Sequence, residues 1–489
     1  MAKKIIMEPS RSIREFRLLT NKTTLATVTS KVTLKTRLCT LPKGGHMELS
    51  IPFLSAAMQA VSGKNLAVAL AQHGGMSVTP CSIPITEQVK IIAEVKKFKA
   101  GFQKSVYCVK KDETLKNIVK IIKEKGYNSF PVTDTGEMGG KLLGVLRDRE
   151  FNMKEDLDKT VGDYMSTKYL SAKEGITLKE ANLSMIKHGR THLYVLDDKG
   201  NLRFVVFKKD LLRQMDYPGG STDQNRRYCI GGAVSTHPSD KKRIDALIEE
   251  EADVIFIDSS DGFTEFQKDT LDYIRTRSKV IPVIGGNIIT REGFRFLVES
   301  GFNAVKIGMG IGSGCTTQEQ KGTGRGQATA LMEVADERDK YFQETGNYIP
   351  LIADGGIAGA GHMVIALAMG ADVIMMGRFF AQYTESAGGL RKHPSLGPVK
   401  EYWMEASSRA RNYGRYDTTK DLFFEEGVEG FVPHVGSIND NLWEPIQKIK
   451  SALSNAGCQN LEDFRNEAVL ELQSIASIQD GGIHDIITK

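Results

Sequence analysis

Cys315 closes a run unlike any other in the chain, Lys306-Ile-Gly-Met-Gly-Ile-Gly-Ser-Gly-Cys-Thr-Thr317. Glycines at 308, 310, 312 and 314 strip this backbone of side chains. Such a loop can turn sharply, aim carbonyls at a cation or bring amides against a phosphate. A thiol at its tip is exposed and flanked by amide dipoles, conditions that lower a thiol pKa and raise its reactivity. Most free cysteines are small buried hydrophobes, and that reading suits Cys39, Cys81, Cys108, Cys229 and Cys458. For Cys315 the loop favours a nucleophile.

The elements that must position this loop are short β-branched runs ending in Gly, Ser or Asp. Eight occur, at 52–56, 75–79, 228–232, 253–258, 280–285, 304–308, 349–354 and 372–377. Most stay apolar until their C-terminal end, the pattern of parallel strands buried on both faces. Helical patterns at 242–250, 291–299 and 362–369 separate several of them. Strand then helix, eight times, with polar residues just after each strand, predicts an α/β fold, a (β/α)8 TIM barrel, over a doubly wound open sheet. The Cys315 loop then follows the sixth strand. Asp354-Gly355-Gly356 follows the seventh and Gly377-Arg378 the eighth, the positions where barrels commonly bind phosphate. Arg378 adds a charge-assisted contact, and Asp354 suits ribose hydroxyls better than phosphate. Asp258-Ser259-Ser260-Asp261-Gly262 and Gly285-Gly286-Asn287, after strands four and five, can meet a second ligand's ribose and amide, although loop polarity explains them nearly as well. No Gly-x-Gly-x-x-Gly follows a strand and opens a helix, so a dinucleotide would lie on the barrel face.

The spacing breaks in three places. About 150 residues separate the second and third strands, too many for a βα connection, so a domain is inserted there. The other two breaks are the glycine-rich stretch 308–327 and a polar segment, 392–426, expected as long loops on the catalytic face. The insertion repeats itself: Thr114-Leu115-Lys116 returns as Thr177-Leu178-Lys179, and Gly126 as Gly189, both 63 residues on. Strands at 130–133 and 142–146 return at 193–196 and 204–207, which predicts a two-fold tandem module. The expected division is a barrel from residues 1–102 and 216–489, with a module at 103–215.

Composition narrows the class. The chain has 489 residues, 40% apolar and 26% charged, enough for two or three domains with full cores. A net charge of +5 is small for this length; it offers no nucleic-acid surface but suits anionic small substrates. Six cysteines without a Cys-x-x-Cys pair read as reduced cytoplasmic thiols. The first residues carry no apolar run of a secretory signal. The most apolar stretch, 363–377, contains Asp372 and is shorter than the roughly 20 residues of a membrane span.

Together these motifs resemble the inosine-5′-monophosphate dehydrogenase family (IMP dehydrogenase / GMP reductase), over nearly the whole chain. The most specific parts are the Cys315 loop, Asp354-Gly-Gly, Met376-Gly377-Arg378, Arg415-Tyr416 and Glu425-Glu426-Gly427. The repeated insertion is similar to a tandem CBS module, a nucleotide-sensing unit, although a spacer or oligomer contact weighs equally. The resemblance implies an NAD-dependent oxidoreductase that turns IMP into xanthosine monophosphate in guanine nucleotide biosynthesis. Cys315 would attack C2 of the purine, and a flap within 392–426 would then replace the cofactor. Arg415 with Tyr416 and Thr317 would activate water, and Glu426 would assist through Thr317. Ser313, Gly356, Gly377 and Arg378 would hold the phosphate and Asp354 the ribose, with Tyr402, Met404 and Glu405 also on the substrate side. Asp258, Ser259, Asn287 and Gly308 would meet the NAD. Potassium would bind carbonyls of Gly310, Gly312 and Cys315, completed by Asp480, Gly481 and Gly482 of a neighbouring subunit. A cytoplasmic homotetramer is implied, with a purine nucleotide as candidate ligand of the CBS module and no nucleic acid or membrane partner.

An arginine base is chemically unusual, since its pKa lies above about 12; an electrostatic role in placing water is the alternative for Arg415. Several residues depart from the family pattern: Gly314 in place of an apolar residue, Ala56 for Ser, Met404 and Ala406 for glycines, and Asp480 for Glu. Two rival functions are an NADPH-dependent GMP reductase, which needs no hydrolytic Arg415-Tyr416 pair, and a non-catalytic purine-nucleotide sensor, which needs none of Cys315, Thr317, Arg415 or Tyr416.

Overall fold

The computed structural model describes residues 5–99, 101–412 and 425–483. In it eight parallel strands close into a barrel: β1 (Phe53–Ser55), β2 (Met76–Thr79), β3 (Ile230–Val234), β4 (Val254–Ile257), β5 (Val283–Ile288), β6 (Ala304–Ile307), β7 (Leu351–Asp354) and β8 (Val373–Met376). Around the barrel the order is β3-β4-β5-β6-β7-β8-β1-β2. This is the TIM-type architecture the apolar runs predict. β5 starts later than its run because Val280 and Ile281 spend their amides on the Ser278 hydroxyl and Pro282 has none to give. Nearly every strand residue is buried, inside the barrel or beneath the helices that follow. In β3, Gly231 makes room for a neighbour: a Cβ there would stand 2.9 Å from the Phe256 ring of β4.

Helices Lys241–Glu249, Glu265–Arg277, Arg291–Ser300, Gln327–Thr345 and Ala360–Ala368 return the chain after β3 to β7. The apolar stretch 363–377 divides between the last of these and β8. Among the described residues no helix is long and apolar enough to cross a membrane. At the N-terminal end of the strands Asp372 is fully buried. It accepts hydrogen bonds from the Tyr348 hydroxyl at 2.8 Å and the Leu351 amide at 2.9 Å, with Arg338 and Arg465 each 3.3 Å away. A buried carboxylate is stable only with such partners, and these tie β7 to β8.

The segment expected as one long polar loop after β8 is partly a sheet. Leu390–His393, Gly397–Trp403 and Glu429–Pro433 form three antiparallel strands. The hairpin reverses at Gly397, whose φ of 72° favours glycine, and Val399, Tyr402 and Trp403 are buried.

The second compact unit spans residues 96–228. It is wider than the repeat because its flanks pair with each other: Lys96 Nζ lies 3.1 Å from Asp223, and Lys99 bridges Arg227. Inside it the two copies match. Helix Leu115–Lys125 starts at Thr114 and stops at Gly126 (φ 70°); helix Leu178–Lys187 starts at Thr177, whose hydroxyl accepts from the Glu180 amide. Strands Ser129–Thr133 and Leu142–Arg147 correspond to His192–Leu196 and Leu202–Phe207. Even the edge pairing repeats: Val109 bridges Val132 in parallel in one copy, and Ala172 pairs with Val195 in the other.

A unit whose ends meet can be removed at little cost to the remaining core. Replacing residues 96–228 by a short Gly-Ser linker is expected to leave a folded barrel with one cooperative thermal transition. Calorimetry of the excised protein checks this; an aggregated or non-cooperative product contradicts it.

Candidate active site

The C-terminal ends of the strands open into a cleft of about 210 Å³, lined by residues of the Cys315 loop together with Asp258, Asn287, Lys306, Asp354, Met404 and Glu405, among others. The loop leaves β6 at Gly308 (φ 133°), where a Cβ would collide with the Asp354 carbonyl and Gln327, so glycine is required by both conformation and space. Cys315 is half-buried, and the other five cysteines are buried. Burial pushes the thiols of Cys108 and Cys458 up to about 12 and about 11 and raises Cys39 further, which keeps them protonated and inert.

Cys315 Sγ lies 3.1 Å from Thr317 Oγ1, and that hydroxyl donates to Glu426 Oε2 at 3.0 Å. Because the Thr317 proton is committed to Glu426, the thiol is the donor to Thr317. The three groups form a path along which a proton can pass from sulfur toward a carboxylate. Lys321 Nζ stands 3.6 Å from the other Glu426 oxygen. The backbone supports this alignment, since Thr316 N donates to Glu426 O at 3.0 Å.

On the floor of the cleft Lys306, 4% exposed, bridges two carboxylates, Asp258 at 3.1 Å and Asp354 at 3.0 Å. Burial alone would push its pKa down. The Asp354 and Asp258 charges outweigh it and hold Lys306 above the ordinary lysine value, so the ammonium is intact at neutral pH. Asn287 Nδ2 donates to Asp354 Oδ2 at 3.0 Å and to the Gly308 carbonyl at 2.7 Å, which ties the ends of β5, β6 and β7 together. Nothing in the sequence reading gave Lys306 this role. The signal was a lysine inside an otherwise apolar buried strand, which requires a partner.

A second cluster gathers beside the cleft. Gly355 and Gly356 turn after β7 with φ of 91° and 72°, and Arg378 opens the short helix Arg378–Ala381 after β8. Tyr402 joins them: its hydroxyl bonds Ser313 and feels Asp354 and Arg378, and burial pushes its pKa up to about 12. A Cβ on Gly377 would stand 3.0 Å from that hydroxyl. Glu405 is fixed by the Gln59 amide at 2.7 Å and by the Ser82 hydroxyl, residues more than 300 positions away that the sequence reading did not single out.

Ser313, Asp354, Gly356, Gly377, Arg378, Tyr402, Met404 and Glu405 therefore come together around the Cys315 loop, and Asp258, Ser259, Asn287 and Gly308 line the same cleft. Arg415 and Tyr416 lie outside the described residues. Asp480, Gly481 and Gly482 are exposed at the end of helix Ile475–Asp480 and do not line this cleft. The carbonyls of Gly310 and Gly312 accept from Gln318 Nε2 at 2.9 Å and Cys315 N at 3.0 Å.

Fold and site define a (β/α)8-barrel protein that presents a thiol, a carboxylate-linked hydroxyl and a rim of glycine turns with Arg378 at one mouth. The chain belongs to the IMP dehydrogenase / GMP reductase family, whose domain model matches residues 14–484. It is 43% identical to the inosine-5′-monophosphate dehydrogenase of Tritrichomonas foetus, across 99% of this chain and 97% of that protein. The Aquifex aeolicus inosine-5′-monophosphate dehydrogenase is 34% identical, across 90% of each. A GMP reductase variant from Trypanosoma brucei, solved with guanosine 5′-monophosphate, shares the fold with a TM-score of 0.77 at 23% identity, covering 98% of this chain and 99% of that one.

Lys306→Met leaves two carboxylates facing each other without their cation. The expected cost is about 3 kcal/mol of unfolding free energy, as for breaking a buried ion pair. Urea denaturation measures it; a loss below about 0.5 kcal/mol, the size of a surface pair, contradicts the bridging role.

Proposed function

We propose that the chain is an NAD-dependent IMP dehydrogenase, oxidising inosine monophosphate to xanthosine monophosphate in guanine nucleotide biosynthesis through a covalent Cys315 intermediate. The hydrogen-bonded path Cys315–Thr317–Glu426 carries the reading, and the full-length likeness to inosine-5′-monophosphate dehydrogenases supports it. Ser313, Gly356, Gly377 and Arg378 hold the phosphate, with Tyr402 behind them. Asp354, fixed by Lys306 and Asn287, takes the ribose. Met404 and Glu405 lie along the purine edge. Cys315 sulfur bonds to purine C2 while its proton moves toward Glu426 through Thr317. The C2–H bond breaks with its electron pair and leaves a thioimidate on Cys315. NAD, when bound, accepts that hydride. Asp258, Ser259, Asn287 and Gly308 would hold it; in favour of the fit, Asn287 Oδ1 is buried with no hydrogen-bond partner among the described residues and suits an amide donor. Water activated by Arg415 and Tyr416 then attacks C2, the C–S bond breaks and the thiol is restored.

Potassium belongs to the same proposal. The loop offers neutral carbonyl oxygens, which suit a hard cation. Those of Gly310 and Gly312 would share it through their second lone pairs, with Cys315 and a neighbouring subunit's tail completing the shell. Residues 103–215, within the unit 96–228, are read as the tandem CBS module. A cavity of about 300 Å³ lined by Lys110, Lys111, Asp112, Thr133, Asp134, Leu143 and Thr160 supports a purine nucleotide there. A cytoplasmic homotetramer completes the reading; a half-buried reduced thiol at Cys315 suits that compartment.

Incubation with IMP and NAD, followed by NADH absorbance and chromatography of xanthosine monophosphate, tests the function. NADPH consumption with GMP would instead assign a GMP reductase, and binding without turnover of either pair a sensor. Cys315→Ala is expected to abolish NADH formation and keep IMP binding. Arg415→Ala is expected to slow turnover by about 10²–10⁴, the usual cost of a lost general base, while a single burst of NADH survives. Lysine at 415 rescues only in part, because it lacks the planar fork. If burst and steady state fall together, the water-activating role is wrong.

A further inference from the structure

Three backbone segments form a small antiparallel ladder at the barrel mouth. Val428 N donates to Gly314 O at 3.1 Å and Thr316 N to Glu426 O at 3.0 Å; on the other side Met404 N donates to Val428 O at 3.1 Å and Glu426 N to Ala406 O at 3.3 Å. Segment 426–428 is thus bonded on both flanks, with Cys315 opposite Gly427. Two glycines lie in this ladder, and neither has a left-handed φ, so conformation does not demand glycine at either place. Occupied space does. A Cβ on Gly314 would stand 2.9 Å from Met404 Sδ and 3.0 Å from its Cγ; one on Gly427 would overlap Met404 Cβ and lie 2.9 Å from Cγ. Met404 is itself anchored, its carbonyl accepting from Ser407 N at 3.1 Å and Ser407 Oγ at 2.7 Å.

We propose that Met404 is a positioning residue for Cys315: its side chain fills the volume that Gly314 and Gly427 leave, and so sets the nucleophile loop at the height where the thiol meets Thr317. This rests on Cys315 being the nucleophile. Close-packed interiors do not tolerate either a void or an extra methylene without displacement, so positions 314 and 404 share one volume. Removing the methionine lets the loop sink; adding a side chain at 314 drives the methionine out. A shift of about 1 Å at a reacting group costs about 10²-fold in rate.

The test compares Gly314→Val, Met404→Gly and the double variant in the full chain. Readouts are kcat and KM for IMP and NAD, melting by circular dichroism, and the pH profile of Cys315 alkylation by iodoacetamide, located by peptide mass spectrometry. Each single variant is expected to lower kcat by about 10²-fold, with KM for NAD little changed, and to displace the alkylation profile. The double variant is expected to recover about tenfold over either single, as coupled neighbours do. A double variant no better than the worse single, or singles that leave kcat and the alkylation profile at wild type, overturns the proposal. Should Gly314→Val fail to fold, Met404→Leu, of similar volume, must keep more activity than Met404→Gly; equal loss overturns it. Turnover by Cys315→Ala would refute the nucleophile instead, and the alkylation profiles would still decide whether 314 and 404 are coupled.

Discussion

The mouth of the barrel is held by the backbone hydrogen bonds of Glu426–Val428. That short segment joins the Cys315 loop on one side to the Met404–Ala406 turn on the other, and it carries the carboxylate that reaches Thr317. In the sequence it comes one residue after 413–424, which contain Arg415 and Tyr416. The carboxylate proposed to receive the thiol proton and the Arg415-Tyr416 pair proposed for hydrolysis therefore lie on one continuous stretch of sequence. Backbone amides and carbonyls are obligatory hydrogen-bonding groups, so this ladder fixes distances that side chains on separate loops would not.

Beneath it, Lys306 performs a second fixing task with charge. One buried ammonium holds Asp258 and Asp354, which flank the cleft after β4 and β7. The two carboxylates share this one cation, which holds both in place as hydrogen-bond acceptors. The opposite end of the barrel uses the same chemistry for stability alone: Asp372 gathers Tyr348, Arg338 and Arg465 far from the thiol. The contrast follows the usual division of such barrels, with function at the C-terminal ends of strands and stability at the N-terminal ends.

Much of this was legible in the sequence, for identifiable reasons. Strands buried on both faces must be apolar, so all eight could be read off directly; the long gap after the second strand marked the insertion, and a 63-residue repeat its two copies. Glycines at alternate positions announced the Cys315 loop. What escaped detection depends on partners remote in sequence. Lys306 is 48 residues from each aspartate it joins, and Glu405 is held by Gln59 and Ser82 from the first two βα loops. The sheet after β8 was hidden because charged residues interrupt its alternation; Lys400 is nonetheless buried, its ammonium donating to the carbonyls of Thr384 and Ser386.

Covalent chemistry at Cys315 is the central claim, and intact-mass spectrometry tests it most directly. The protein is mixed with IMP and NAD, quenched in acid during turnover, and digested to locate any adduct. The expected result is a mass increase of one purine nucleotide on the peptide bearing Cys315, absent when NAD is omitted. Steady NADH production with no adduct on Cys315, or an adduct on another cysteine, would contradict it.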